Sequence, residues 1–247
     1  MTEHPRLSAP LSIGGLELPH RILMGSMHTG MEDDPEQFPE LAAYFAERAR
    51  GGAGLMITGG FSPNGEGRLT PGGGQLSDPA QAAHHRILTD AVHEAGGLLA
   101  LQILHAGRYA YHPKAVSASA TQSPISPFPA RELTDEQVRA AIQDFARCAV
   151  LAQEAGYDAV EIMGSEGYLL NQFLAQRTNQ REDDWGGDAQ RRRRFPVEVV
   201  RAVRAAAPGL PIIYRISLMD LVDGGQAWED VVALAHELED AGVDVFN

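Results

Sequence analysis

The sequence predicts an α/β fold and, within that class, a TIM (β/α)8 barrel of which about six βα units are present. Three observations predict it: six short apolar runs alternate with helical stretches, an N-terminal hairpin precedes them, and long polar loops follow the strands. Strands that are joined through helices run parallel. The competing open, doubly wound sheet predicts Gly-x-Gly-x-x-Gly after its first strand, a spacing that residues 25–30 lack.

The N-terminal hairpin is predicted from two short alternating segments, residues 11–13 and 16–18, on either side of Gly14 and Gly15. Both glycines can adopt the positive φ that a two-residue turn requires. The predicted strands that follow are rich in Ile, Leu, Val, Met or Ala. They cover residues 21–27, 54–58, 98–105, 158–163, 211–217 and 243–247.

The clearest helix spans residues 134–155. Thr134 and Gln137 form a capping box at its start, and Gly156 follows its end. Five apolar residues fall on one face at helical spacing: Val138, Ile142, Phe145, Ala149 and Ala152. Cys148 lies on the same side, and we expect it to be inert core.

A second helix is predicted to begin at Asp78, whose carboxylate can cap the first turn and which precedes Pro79. We expect His84 and His85, which lie within this helix, to be at the surface. A later helix is predicted from four apolar residues at helical spacing, Val231, Leu234, Leu238 and Ala241.

A closed barrel needs eight strands, and the sequence supplies six, the last of which reaches Asn247. We therefore interpret residues 1–247 as one barrel domain that is incomplete at its C-terminus. Unpaired backbone groups on the first and sixth strands would favour contact with another chain. We expect self-association or pairing through these open barrel edges.

Composition narrows the function classes. The chain has 20 basic and 33 acidic side chains and a net charge of −13, which argues against nucleic-acid binding. No apolar run approaches the roughly 18 residues that cross a bilayer, and residues 1–6 lack a basic region before an apolar stretch. We expect a cytoplasmic protein without membrane contact. The single cysteine excludes an internal disulfide and a cysteine-ligated metal site, and we predict no metal ligands.

The loops after the strands should carry the chemistry of a barrel. The loop of residues 106–133 contains four prolines and no helical or strand periodicity, and loops of this length are usually lids or disordered. Polar and aromatic residues also follow the fourth strand from residue 164 and the fifth strand from residue 217.

Several motifs carry a family resemblance that covers the chain from about residue 7 to its end. GYLLNQFL at 167–174, WGGD at 185–188 and RRRF at 192–195 resemble the FMN barrel of the old yellow enzyme superfamily. MGSMHTG at 24–30, LQILHAGRY at 101–109 and MGSEGY at 163–168 are similar to the N-terminal domain of bacterial NADPH-dependent 2,4-dienoyl-CoA reductases. The resemblance implies an FMN-binding domain.

The resemblance also implies which residues hold FMN. The backbone of Ser26 and Met27, together with Gly60, would lie against the isoalloxazine ring. His28 would tune the ring near its C4 carbonyl and N5. Gln102 would bind the pyrimidine edge, and Arg215 would place its positive charge beside N1, where the reduced ring is electron-rich.

The resemblance also concerns four residues on the substrate side. Tyr168 matches the proton donor, a role that suits a phenol with a reference pKa of about 10. Arg177 corresponds to a substrate contact. Met163 and Glu166 replace a pair that grips a carbonyl in the wider superfamily, and Glu166 would instead orient Tyr168 or its partner.

The activity implied is reduction of the conjugated C=C bond of a 2,4-dienoyl-CoA thioester, as in fatty acid β-oxidation, by hydride transfer from FMN N5 with protonation by Tyr168. Two alternatives stay open: an amine dehydrogenase or N-demethylase of the same superfamily, and an inactive barrel fragment that needs its missing segment or a partner. Full-length relatives also carry a [4Fe-4S] cluster, FAD and NADPH, and we expect no binding elements for these groups in this chain.

Overall fold

The computed structural model describes residues 4–247; the first three residues, which enter the expectation of a cytoplasmic location, lie outside this range. Ten strands and six helices follow one another along the described chain. In order they are β1 (Leu11–Ile13), β2 (Leu16–Leu18), β3 (Leu23–Met24), α1 (Phe38–Arg50), β4 (Leu55–Phe61), α2 (Pro79–Glu94), β5 (Leu99–Ile103), β6 (Val116–Ser117), β7 (Arg131–Glu132), α3 (Asp135–Glu154), β8 (Ala159–Gly164), α4 (Leu169–Leu174), α5 (Ala189–Ala206), β9 (Ile212–Ile216), α6 (Trp228–Ala241) and β10 (Val245–Phe246).

A six-stranded parallel sheet forms the centre of the fold, in the order β3, β4, β5, β8, β9, β10. The strands of this sheet therefore lie side by side in the order in which they occur along the chain, as in a barrel. In a doubly wound sheet, by contrast, the strand order reverses near the middle of the sheet. All six predicted strands are present. The structure is a curled, parallel partial barrel, and within residues 4–247 the outer strands β3 and β10 each pair on one side only.

The hairpin of β1 and β2 is antiparallel, as predicted, with φ of +54° at Gly14 and +88° at Gly15. Its apolar side chains pack against the inner face of the sheet. The buried cluster there consists of Ile13, Leu18, Leu55, Ile57, Ala100, Ala159 and Ile213. The hairpin thus covers the inner surface near the amino ends of the strands and leaves the carboxyl ends for a site.

The helices pack against the outer face of the sheet and form the largest apolar cluster. In α3 the capping box is present, since Gln137 N donates to Thr134 Oγ1 and Thr134 N donates to Gln137 Oε1. The five predicted apolar residues of this helix are buried, which confirms its inward face. Cys148 is buried too, and burial raises the pKa of its thiol, as expected of a core residue.

The expectation of two surface histidines in α2 is wrong for His85. Its side chain is buried, its Nδ1 lies 2.8 Å from the Tyr157 hydroxyl, and its ring packs against Phe38 and Phe61. His84 is partly exposed, with Nε2 2.9 Å from the Pro35 carbonyl oxygen. Both rings contact Phe38, and His85 also packs against Phe61 and reaches the Tyr157 hydroxyl.

The loop of residues 106–133 packs on the barrel through a small cluster formed by Ala106, Ala110, Ala115 and Ala130. Inside it, β6 and β7 pair in parallel, so the segment is more regular than its sequence indicates. Among the helices that the structure describes, none combines the length and the apolar character needed to cross a bilayer.

Candidate active site

A cavity of about 170 Å³ lies at the carboxyl ends of the strands. Seven of the nine predicted site residues line it: Ser26, His28, Gly60, Gln102, Glu166, Tyr168 and Arg215. They come from the segment after β3 and from β4, β5, β9 and the turn after β8. The fold therefore brings together residues that are up to 189 positions apart, from 26 to 215, around one space.

Two predicted residues do not line this cavity. The side chain of Met27 is exposed, and the contact predicted for Met27 was through its backbone. Arg177 lines two neighbouring grooves of about 280 and 920 Å³, which it shares with Arg108 and Tyr109. The smaller groove also includes Glu166, so it adjoins the cavity.

Gly60 provides a wall that a larger residue could not. A β-bulge separates Ile57 from Gly60, and Gly60 pairs with Gln102 across β4 and β5. A Cβ atom at Gly60 would lie 2.6 Å from Leu104 Cβ and 3.1 Å from Gln102 Oε1. The absence of a side chain leaves bare backbone at this wall, against which a flat ring can lie.

Gln102 is buried on the inner face of β5. Its backbone N donates to Thr58 Oγ1 over 3.1 Å, and its Nε2 donates to Glu161 Oε1 over 2.7 Å. Glu161 is fully buried and also accepts from Asn247 Nδ2 over 2.7 Å. Sequence reasoning missed Glu161, although a carboxylate inside the apolar run 158–163 was a signal.

Arg215 forms an ion pair with Glu166, with Nη2 2.6 Å from Oε1. Glu166 adopts φ +61°, unusual for a non-glycine residue, and its backbone N donates to Ser217 Oγ over 3.1 Å. Asp220, the obvious alternative partner for Arg215, instead accepts from Asn171 Nδ2 and Gln226 N. The carboxylate of Glu166 is therefore the negative charge that is paired with Arg215.

Tyr168 precedes α4 as its N-cap residue and is half-buried at the cavity. Its ring packs edge to face on Tyr109, with centroids 5.7 Å apart. Burial raises the pKa of Tyr168, and the negative charge of Glu166 raises it further, against an opposing effect of Arg215. The phenol is therefore protonated at neutral pH and available as a proton donor. In the described part of the chain, Glu166 makes no hydrogen bond to Tyr168.

His28 is held at the cavity mouth by two carboxylates. Its Nε2 lies 3.1 Å from Asp33 Oδ2, and its Nδ1 lies 3.8 Å from Glu32 Oε2. Glu32 is buried and accepts from the backbone N and Oγ1 of Thr29. Asp33 itself lines the cavity. These acidic residues were not singled out by sequence, because no periodicity marks the short 3₁₀ turn that carries them.

The cavity suits the flavin that the resemblance implies. A flavin ring is flat and carries carbonyl and N–H groups along one edge, so it needs a flat wall together with donors and acceptors. Gly60 leaves the wall, Arg215 supplies a cation, and the Oε1 atom of Gln102 accepts no hydrogen bond from any residue within 4–247. Gln102 and Arg215 face one common space, as the resemblance requires.

The grooves beside the cavity carry two arginines without carboxylate partners. Among the described residues, no carboxylate oxygen lies within 4 Å of the guanidinium nitrogens of Arg108 or Arg177. The Nε of Arg108 is buried without a hydrogen-bond partner there. Arg177 Nη1 reaches only the Asp223 carbonyl oxygen, at 3.5 Å. Both cations are therefore free to bind an anion.

Comparison with known proteins gives a family match across nearly the whole chain. The model of the NADH:flavin oxidoreductase / NADH oxidase family matches residues 6–247. A metal reductase of Desulforamulus reducens is 38% identical over 249 residues, which cover 98% of this chain and 37% of the relative. An NADH oxidase of Thermoanaerobacter brockii is 35% identical over 261 residues, covering 100% and 39%. An NADPH dehydrogenase of Bacillus subtilis is 30% identical over 251 residues, covering 98% and 72%.

Two solved structures share the fold at 28% sequence identity. A 2-naphthoyl-CoA reductase in complex with 2-naphthoyl-CoA has a TM-score of 0.90 and matches 98% of this chain and 40% of its own. An old yellow enzyme homologue from Zymomonas mobilis has a TM-score of 0.88, with coverages of 98% and 72%. The chain thus spans about two-fifths of the length of the metal reductase, the NADH oxidase and the naphthoyl-CoA reductase.

Proposed function

Because the chain belongs to the NADH:flavin oxidoreductase / NADH oxidase family, we propose that it is the FMN-binding domain of a reductase acting on C=C bonds conjugated to a thioester carbonyl, as in 2,4-dienoyl-CoA. The observation that carries this proposal is the position of Tyr168. Its protonated phenol faces the same cavity as Gln102 and Arg215, the residues proposed to hold the flavin edge.

The predicted residues at the cavity have separate tasks in this reaction. When bound, FMN supplies the hydride for the double bond. Tyr168 donates a proton to the substrate carbon that becomes electron-rich. Arg215 stabilises negative charge at the polar edge of the ring, and Glu166 holds the guanidinium in place through their ion pair. Ser26, Met27, His28 and Gly60 are proposed to contact the ring from the β3 and β4 side.

The thioester class is supported by the grooves next to the cavity. Coenzyme A carries phosphate groups at a distance from its thioester, and an arginine binds phosphate through its planar fork of donors. Arg177 and Arg108 lie on the two grooves beyond Glu166 and have no carboxylate partners among the described residues. The naphthoyl-CoA reductase that shares this fold acts on a CoA thioester of the same chemical class, which adds support.

Anaerobic half-reactions test the proposal. The chain is loaded with FMN, reduced with dithionite and mixed with 2,4-hexadienoyl-CoA while flavin absorbance is followed. We expect reoxidation with one equivalent of reduced product. Oxidised enzyme that is instead reduced by a tertiary amine would favour the amine dehydrogenase or N-demethylase. A chain that retains no flavin would favour the inactive fragment.

The remaining expectations concern the surroundings of this domain. A [4Fe-4S] cluster, FAD and NADPH are proposed only for a longer protein that contains such a domain, and a cytoplasmic location stays a prediction. Association through β3 and β10 is also a prediction. Light scattering over a hundredfold range of protein concentration tests it, with a concentration-dependent mass as the expected result.

A further inference from the structure

Glu161 is a buried carboxyl group beside Gln102, which lines the cavity. It is fully buried on the inner face of β8, beside Gln102 on β5 and Ile213 on β9. Within residues 4–247, no Arg, Lys or His nitrogen lies within 4 Å of its oxygens. Its two oxygens accept instead from Gln102 Nε2 and Asn247 Nδ2, each over 2.7 Å. A buried polar group without hydrogen-bond partners is costly, so both contacts stabilise this side chain in the barrel.

This contact fixes which end of the Gln102 amide faces the cavity. The Nε2 atom of Gln102 donates to Glu161 Oε1, so the amide turns its nitrogen toward Glu161 and its oxygen away. That oxygen then lies beside Gly60, 3.1 Å from the position a Cβ would take there. The backbone of Gln102 is anchored in turn by the bond from its N to Thr58 Oγ1. No described residue donates to Oε1, so it is available to a ligand.

We propose that Glu161 is a positioning residue that makes Gln102 a hydrogen-bond acceptor toward the cavity. The cavity then selects a ring whose edge donates an N–H at this point, as the pyrimidine half of a flavin does between its two carbonyl groups. An unconstrained amide would present its N–H₂ about as readily as its oxygen and would lose this selectivity. The inference rests on flavin binding by the family and not on the thioester substrate.

The amide orientation can be measured without any ligand. In the ¹⁵N–¹H spectrum of the apo chain, we expect the side-chain amide of Gln102 to show one downfield, slowly exchanging proton, assigned by its loss in Gln102→Glu. In Glu161→Gln, a nearly isosteric change that can donate as well as accept, this signal should move upfield and exchange faster. An unchanged Gln102 signal would overturn the proposal, since a purely space-filling Glu161 predicts that result.

Selectivity for the ring edge is measured with FMN and 3-methyl-FMN. In the second compound a methyl group replaces the hydrogen of the N–H group between the two carbonyl groups. We expect the chain to bind FMN at least about tenfold more tightly, the usual effect of one hydrogen bond lost at a buried acceptor. In Glu161→Gln this ratio should fall at least threefold. The matched control is Glu47→Gln, since that side chain is 80% exposed on α1. A ratio equal in Glu161→Gln and wild type contradicts the inference, whichever thioester the enzyme reduces. If neither flavin binds, the Gln102 amide signal in the apo chain tests the proposal by itself.

Discussion

Glu166 Oε1 lies 2.6 Å from Arg215 Nη2, and this ion pair stands at the same cavity as the phenol of Tyr168. The two charges act on Tyr168 in opposite directions: Glu166 raises the pKa of the phenol and Arg215 lowers it. A carboxylate would be unfavourable beside the electron-rich ring of the proposed flavin, and the ion pair with Arg215 neutralises it. Pairing with Arg215 thus compensates the negative charge that Glu166 brings to the cavity.

This balance predicts a pH effect. Burial still raises the pKa of Tyr168 in Glu166→Gln, but this change removes the negative charge that raises it further, while Arg215 still lowers it. The pKa of Tyr168 should therefore fall, and the alkaline loss of substrate reduction should move to lower pH. The rate of flavin reoxidation across the alkaline range measures this shift. An alkaline limb that stays in place, or that survives in Tyr168→Phe, would exclude Tyr168 as its origin.

The proton-donor role of Tyr168 predicts a large rate effect without loss of cofactor. Tyr168→Phe keeps the ring contact with Tyr109 and removes the hydroxyl. Reduction of 2,4-hexadienoyl-CoA should slow by about 10²-fold or more, while FMN affinity stays the same. The matched control is Tyr111→Phe, because Tyr111 is 52% exposed and packs on Phe128 away from the cavity. Equal turnover in both variants would remove Tyr168 from its proposed role.

The unpaired arginines predict recognition of a phosphate-bearing substrate. Arg177→Ala should raise KM for a dienoyl-CoA about tenfold with little change in kcat, because the lost contact lies away from the reacting carbons. KM for the corresponding N-acetylcysteamine thioester, which lacks the phosphates, should not change. Arg139→Ala serves as the control, since this exposed arginine of α3 pairs with Asp135. A similar rise in KM for both thioesters would argue against phosphate binding at this groove.

Buried histidines predict a loss of stability in mild acid. Burial lowers the pKa of His85 and of His105 to about 3, whereas an unfolded histidine titrates near 6.5. Between these values the unfolded chain binds protons that the folded chain does not, so the free energy of unfolding falls as pH falls. Each histidine should remove about 2 kcal/mol between pH 7 and pH 5.

Urea unfolding at the two pH values measures this loss. His85→Gln should be less stable at pH 7, because it loses the bond to Tyr157, but it should lose about 2 kcal/mol less than wild type on going to pH 5. His236→Gln, an exposed change on α6, should leave the pH dependence as it is. Identical slopes for His85→Gln and wild type would show that His85 titrates normally in the folded chain.

Much of the fold follows from local signals in the sequence. The glycine pair at 14–15, the capping box at Thr134 and six apolar runs predicted the hairpin, α3 and the order of the sheet. Strand β4 was predicted too short, ending at residue 58, because Gly59 and Gly60 resemble a strand terminus. In the structure β4 continues through them to Phe61, supported by the neighbouring strand β5.

The candidate site was likewise predicted only in part. Contiguous motifs contain five of the seven residues that line the cavity, and the family resemblance implied the other two, Gly60 and Arg215. Glu161 was missed because its partner Gln102 lies 59 positions earlier and meets it only through the register of β5 and β8. His85 was misplaced because its burial depends on Phe38 of α1 and Phe61 of β4, which lie outside its own helix. Contacts between residues that are distant in sequence, such as Glu161 and Gln102, cannot be predicted from local spacing.

The cavity takes Ser26 from one outer part of the sheet and Arg215 from near the other. A ligand that touches both residues links opposite parts of the sheet, so its binding free energy adds to the free energy of unfolding of the whole domain. Melting temperature should then rise with ligand concentration for the domain as a unit, and limited proteolysis should slow in segments as distant as residues 26–30 and 215–225 together.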